Sequence, residues 1–188
     1  MKFLLLLLGY SLCWPAWAQE TSLSFSQADT SIHWILDSRL HTVHGTFRLK
    51  EGHLHFDRST GAASGELIVD AVSGESGNGA RDSRMHSSIL ESKRFGTIVF
   101  RPDRVNGQVP SQGSGKIEVH GTFELHGKTH ELTMPIDLQV SDRVIAVKSQ
   151  FRIPYVEWGL KDPSAFMLKV DNTVQIQIAA TATAESAR

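Results

Sequence analysis

The chain has 188 residues, with 19 basic against 20 acidic side chains and a single cysteine, Cys13. No basic stripe exists to neutralise a phosphate backbone, which excludes nucleic acid as a partner. The length suits one domain of ordinary size.

The first 18 residues read as a targeting segment. Lys2 gives a short positive start, Phe3 to Leu8 is an unbroken apolar run, and Ala16-Trp17-Ala18 matches a small-x-small cleavage site. Cleavage is expected after Ala18. The segment is too short to span a membrane, which takes about 20 apolar residues. Tyr10-Ser11-Leu12 before Cys13 lacks the small residues of a lipoprotein signal, so no lipid anchor is expected. These features predict a signal peptide over 1–18, a single domain over 19–188, and a periplasmic or secreted location. Loss of Lys2 from 19 basic and 20 acidic residues leaves a net charge near −2. Without Cys13 the exported chain has no disulfide and depends on its core alone.

Period-two alternation dominates the remainder. Ile32, Trp34 and Leu36 form a first apolar face. The pentapeptide "VHGTF" follows at Val43 to Phe47 and recurs at Val119 to Phe123. In the first copy Val43, Gly45, Phe47 and Leu49 share one face, and His44, Thr46, Arg48 and Lys50 the other. Glu51-Gly52 is read as the turn of a hairpin, with Leu49 opposite Leu54 and Phe47 opposite Phe56. Leu67, Val69 and Ala71 alternate in "GELIVDAV". The Gly/Ser-rich stretch Ser73 to Ala80 reads as a loop. Arg81 to Phe95 breaks the alternation and spaces Met85 and Ile89 as a short amphipathic helix would. Because Met85 and Ile89 are its only evenly spaced apolar anchors, Ser73 to Phe95 is expected to form a movable flap over one end.

Ile98 and Phe100 begin the next strand. The second copy puts Ile117, Val119, Gly121, Phe123 and Leu125 inward, with His120 outward beside charged neighbours. Gly127-Lys128 is read as a two-residue turn, placing Leu125 opposite His130, Phe123 opposite Leu132 and Gly121 opposite Met134. The return strand carries Leu132, Met134, Ile136, Leu138 and Val140 inward. After a turn at Asp142-Arg143, Ile145, Val147, Ser149, Phe151 and Ile153 continue. Val174, Ile176 and Ile178 end the series. About eight closely spaced strands argue for a closed antiparallel barrel or a sandwich.

The segments "HGTFRLKEGHLHFD", "RDSRMHSSILESKRFGTIVF", "GKIEVHGTFELHGKTHELTMPI", "FRIPYVEWGLKDP" and "DNTVQIQI" appear in that order. In order and spacing they resemble the YceI-like family of periplasmic lipid-binding proteins, from about Thr30 to about Ala179. The resemblance implies an all-β fold: an extended, lipocalin-like antiparallel barrel of about eight strands with a short helical insertion. It implies a lumen holding a polyisoprenoid chain, such as the tail of a quinone, with no fixed catalytic set and no catalytic residue to carry over. Gly96 in "FGTIVF" stands where members often have proline.

An eight-stranded barrel either fills with side chains or holds one slim ligand. The small inward residues Gly45, Gly121, Ala71 and Ser149 face a set of phenylalanines, and both outcomes stay open on the alternation alone. The predicted lumen lining is Trp34, Phe47 and Phe56; Leu67 and Val69; Met85 and Ile89 from the helix; Phe100; Val119 and Phe123; Leu132, Met134 and Ile136; and Val147 and Phe151. His41 and His130 are read as inward polar residues. They are either satisfied at a barrel rim or in contact with a ligand's polar head. Arg81 is the third head-group candidate, although Arg81 and Asp82 serve equally to pair with each other or cap the helix.

Among other chemistry, "HLHFD" puts His53 and His55 on one strand face with Asp57 beyond and His44 in reach. An exported metal-binding protein is therefore the alternative, against which the apparent solvation of that face counts. "HELTM" at His130 to Met134 lacks the second histidine of a zinc-protease helix. No nucleophile elbow, phosphate loop or dinucleotide fingerprint occurs. The expectation is a non-enzymatic carrier without cofactor or resident metal. It binds an isoprenoid lipid or quinone, makes transient membrane contact and is a monomer or dimer.

Overall fold

Strong alternation over long segments builds eight strands, each hydrogen-bonded to its neighbours in sequence. In the computed structural model, which describes residues 20–164 and 169–186, these are β1 (Glu20–Asp37), β2 (Thr42–Asp57), β3 (Ala63–Glu75), β4 (Thr97–Asn106), β5 (Gly113–Leu125), β6 (Lys128–Ser141), β7 (Val144–Ile153) and β8 (Val174–Ser186). All pairs are antiparallel and β8 closes on β1, giving a complete barrel without a free edge. The expected all-β, lipocalin-like architecture is what the chain adopts. The predicted signal peptide lies outside the described residues. At about 3.3 Å per residue the 16 residues of β2 run roughly 50 Å, so the barrel is tall.

The alternating order divides the connections between two ends. The β1–β2, β5–β6 and β7–β8 connections share one end with the insertion between β3 and β4. The β2–β3, β4–β5 and β6–β7 connections lie at the other. We call these the insertion end and the far end.

Two expected turns are corrected. Glu51-Gly52 is not a turn: β2 runs straight through it, and Glu51 and Gly52 pair with Ile68 and Leu67 of β3. The register slips between Leu49 and Glu51, so Lys50 and Glu51 both face water while Leu49 and Gly52 are buried. A one-residue bulge and a two-residue turn shift the inward phase alike, and pattern alone does not separate them. Phe47 accordingly pairs with Ile32, and Phe56 with Ala63 and Thr21. In the second hairpin the turn is His126-Gly127, with φ of 54° and 72°. Positive φ at both positions suits the twist of a tight hairpin. The partners shift by two: Leu125 faces Lys128, Phe123 faces His130, Gly121 faces Leu132 and Val119 faces Met134. A shift of two preserves the inward face, so the apolar set still points to the core. The Asp142-Arg143 turn forms as expected, with Ser141 opposite Val144.

The insertion is shorter and wider than a simple helix. Helix α1 spans Gly79–Arg84, and Asn78 caps it by accepting from the Arg81 amide at 3.1 Å. One π-helical turn, Met85–Ile89, follows, closed by the Leu90 amide on the Met85 carbonyl at 2.9 Å. His86 explains the widening. Its Nε2 lies 2.8 Å from the Gly74 carbonyl and its Nδ1 2.9 Å from Ser92 Oγ, tying the turn to β3.

The main core lies at the insertion end. Phe100, Phe123, Leu125, Met134, Phe151, Ile153, Tyr155 and Leu160 are all buried and in contact, with Ile89, Leu90, Leu132 and Trp158 packed against them. Each such side chain contributes about 1.5–3 kcal/mol by leaving water. A smaller cluster of Leu138, Val140 and Ile145 stands toward the far end.

Candidate ligand-binding cavity

Between these clusters the barrel encloses a cavity of about 170 Å³. Its walls follow from the inward half of each strand. Phe56 comes from β2, Leu67 and Val69 from β3, and Phe100 from β4. Val119 and Phe123 come from β5, Met134 and Ile136 from β6, and Val147 and Phe151 from β7. These ten predicted positions are brought together. Phe100, Phe123 and Phe151 form the floor, shared with the main core, and the space runs from there toward the far end, where Phe56 stands.

Five predicted positions lie elsewhere. Trp34 is buried, but its ring occupies the room left by Gly45 on β2, where a Cβ would collide with the indole. Phe47 packs over Gly74 at the base of the insertion, 2.5 Å from where a Cβ would stand, and Met85 Cε meets the same point at 3.0 Å. Met85 thus fixes the insertion to β2 and β3. Ile89 and Leu132 pack against the main core. The room beside two of the inward glycines is taken by the protein itself. Gly45 admits Trp34, and Gly121 admits the backbone of Arg101 and Pro102 in β4.

The head-group candidates also move. His41 is exposed in the β1–β2 connection, where its backbone binds Ser38. Arg81 neither pairs with Asp82 nor faces the cavity. Its Nε donates to Ser76 Oγ at 2.7 Å and a terminal nitrogen donates to the Ser76 carbonyl at 3.0 Å. Asp82 accepts from the Ser76 amide and hydroxyl. His130 stacks on Trp158, with ring centres 4.2 Å apart and planes 2° off parallel, inside the aromatic floor. Burial raises the nearby Tyr155 phenol well above its usual range, so it stays protonated and donates to the Asp171 carbonyl at 2.7 Å.

Several lining residues lie outside the predicted lining set. Leu23 and Phe25 line the cavity from the first half of β1. Their alternation with Ser22, Ser24 and Ser26 is visible in "TSLSFSQ", but the serine-rich background hides it. Leu54, Val105 and Ile145 line it on the way to the far end, and Val109 reaches in from the β4–β5 connection, 107–112. No spacing rule marks a loop valine as part of a wall.

The histidines read as candidate metal ligands do not converge. His55 Nδ1 meets Ser22 Oγ at 2.9 Å, His53 Nδ1 meets Ser24 Oγ at 3.4 Å, and His44 is exposed. Among the described residues, the group close enough to share an ion is Asp103, His120 and Glu131, on the outer face of β4, β5 and β6. There His120 Nδ1 lies 2.8 Å from Asp103 and Nε2 3.1 Å from Glu131. The hydrogen bond to Asp103, together with the two carboxylate charges, raises the imidazole above its ordinary pKa.

The YceI-like domain model matches residues 18–182. A UPF0312 protein of Vibrio vulnificus is 30% identical over 94 residues, and one of Vibrio cholerae 28% over the same length. Each match covers 49% of this chain and 48% of the relative, so the chain spans about half the length of the curated relatives it matches. The solved structure of Burkholderia cenocepacia BcnA superposes with a TM-score of 0.69 at 17% identity, covering 85% of this chain and 99% of that one. A polyisoprenoid binding domain from Saccharophagus degradans gives 0.61 at 17%, covering 88% and 98%. The YceI protein of Campylobacter jejuni gives 0.56 at 11%, with full coverage of both chains. These structural likenesses establish a shared fold. With the closed eight-stranded barrel and the family model running over nearly its whole length, the chain belongs to the YceI-like domain family.

Proposed function

We propose that this protein is a carrier that holds an isoprenoid-type lipid in the barrel cavity and performs no chemistry on it. The observation that carries this reading is the wall itself: among the described residues, side chains from all eight strands and one loop, nearly all of them apolar, surround a continuous space inside a closed barrel. Apolar contact with such a wall is worth about 0.8 kcal/mol per buried methylene. The Saccharophagus neighbour, described as a polyisoprenoid binding domain, supports the ligand class.

The size of the cavity sharpens the proposal. A cavity of about 150 Å³ takes a benzene molecule, so 170 Å³ accommodates roughly one isoprene unit without rearrangement. A longer chain enters by parting the walls, and the void points to where. It runs to the far end, beside Val109 and away from the insertion. Ligand passage is assigned to that end, and Ser73 to Phe95 becomes a fixed plug rather than a lid. Export through the predicted signal peptide places the carrier in the periplasm or outside the cell, exchanging lipid by transient contact with a membrane. Organic extraction of natively purified protein, read by mass spectrometry, tests the reading. An isoprenoid lipid at near-stoichiometric yield supports it; phospholipid alone, or nothing extractable from protein that also fails to bind added isoprenoid, refutes it.

A further inference from the structure

Among the described residues, the polar side chains of the cavity wall are Thr30, His55 and Ser149. Two of them are engaged. Ser149 Oγ donates to the Pro135 carbonyl at 2.7 Å, and His55 Nδ1 meets Ser22 Oγ at 2.9 Å. Thr30 Oγ1 is buried and has no hydrogen-bond partner among the described residues. Buried hydroxyls are nearly always paired, because leaving one unpaired forfeits the hydrogen bonds it had in water. Valine would fill the same space with no such cost. An unpaired threonine in an apolar wall therefore calls for a partner outside the chain.

The backbone places this residue deliberately. β1 slips register against β8: Phe25 pairs with Ala182, but Thr30 pairs with Ala180. The extra residues, Ser26 to Asp29, are all exposed, and Ser26 Oγ donates to Asp29 at 2.6 Å across the bulge. Before the slip the odd positions Leu23 and Phe25 line the cavity; after it the even positions Thr30 and Ile32 do. Thr30 is the first inward residue after the bulge.

Building on the carrier reading, we infer that Thr30 Oγ1 is the hydrogen-bonding partner of a neutral oxygen, a hydroxyl or carbonyl, on the isoprenoid held in the cavity. A hydroxyl both donates and accepts, so it serves either group. A phosphorylated terminus does not fit here, since no lysine or arginine among the described residues lines the cavity to offset its charge. The site thus selects isoprenoid alcohols and carbonyl-bearing isoprenoids over pure hydrocarbons and over isoprenyl phosphates.

The test compares farnesol with the hydrocarbon farnesene by displacement of a fluorescent isoprenoid, in the intact protein and in Thr30→Val and Thr30→Ser. Wild type should prefer farnesol. Thr30→Val should weaken farnesol binding by about three- to tenfold, the worth of one neutral hydrogen bond, and leave farnesene unaffected. Thr30→Ser should keep the preference. Thermal melting should show Thr30→Val folded and no less stable than wild type, since it removes an unpaired buried hydroxyl. Equal affinities of Thr30→Val and wild type for farnesol, or equal weakening of both ligands, overturns the assignment while leaving the carrier reading intact. If wild type binds neither ligand, the carrier reading falls and the inference with it.

Discussion

Replacing Phe123 with tryptophan adds a fused ring at the boundary between the aromatic floor and the cavity. On one side Phe123 meets Trp158, with ring centres 5.7 Å apart; on the other it lines the void. In a solid core such overpacking costs about 1–3 kcal/mol. Here the added atoms can turn into 170 Å³ of apolar space, so the cost should stay below about 1 kcal/mol. For a domain of this size that lowers the melting temperature by no more than about 2–4 °C. The ligand carries the loss instead. Displacing two carbons of an isoprene unit from the wall forfeits about 1.6 kcal/mol at about 0.8 kcal/mol per methylene, a fall in affinity of more than about tenfold. Urea unfolding of the free protein and titration with a fluorescent isoprenoid measure the two sides separately. A variant destabilised by more than about 2 kcal/mol with unchanged affinity would mean that Phe123 belongs to a solid core, and the cavity argument would fail.

Gly121→Ala should cost at least about 2 kcal/mol, because the new methyl meets the backbone of Arg101 and Pro102, which cannot swing aside; Gly79→Ala, with nothing within 4 Å, should be neutral or stabilising by denaturant unfolding. The two copies of "VHGTF" should also behave differently. The folded pKa of His120 lies above the ordinary 6.5, so its attraction to Asp103 and Glu131 is complete below the unfolded value and is lost as pH rises through the folded one. His120→Gln should flatten that slope in stability against pH, while His44→Gln, at an exposed position, should change stability by less than about 0.5 kcal/mol. A slope unaffected by His120→Gln would refute the assignment. Met85→Ser with Ile89→Ser should loosen the insertion in hydrogen exchange without speeding release of a bound isoprenoid probe, since neither residue lines the cavity. Faster release would restore the flap.

The strands were legible because each inward face repeats every second residue over ten or more positions, as in Ile145 to Ile153, and a wrong register would expose the whole set. Bulges were not. Lys50-Glu51 in β2 and Ser26 to Asp29 in β1 leave the inward phase shifted, as a turn would, and their nature depends on pairing with a distant strand. The cavity was half legible. Alternation identified Phe100, Phe123, Met134 and Phe151 as inward, but not the end toward which space remains. That depends on side chains brought in from connections: Trp158 fills the insertion end, while only Val109 reaches in from the β4–β5 loop. At Gly45 and Gly121 the missing Cβ marks a close approach, as glycine inside a strand does: an indole and a neighbouring backbone take that room. Thr30 gave no signal at all, since an inward threonine is conspicuous only once its hydroxyl is known to be unpaired.

The central claim is that lipid sits inside the barrel, and photocrosslinking addresses it most directly. An isoprenoid alcohol carrying a diazirine near its chain end, bound to the intact protein and irradiated, should label peptides containing Val69, Phe100, Met134 or Val147, and excess unlabelled farnesol should suppress the labelling. Labelling confined to the outer groove across β5 to β8, around Lys116, Pro135 and Gln177, would contradict the account.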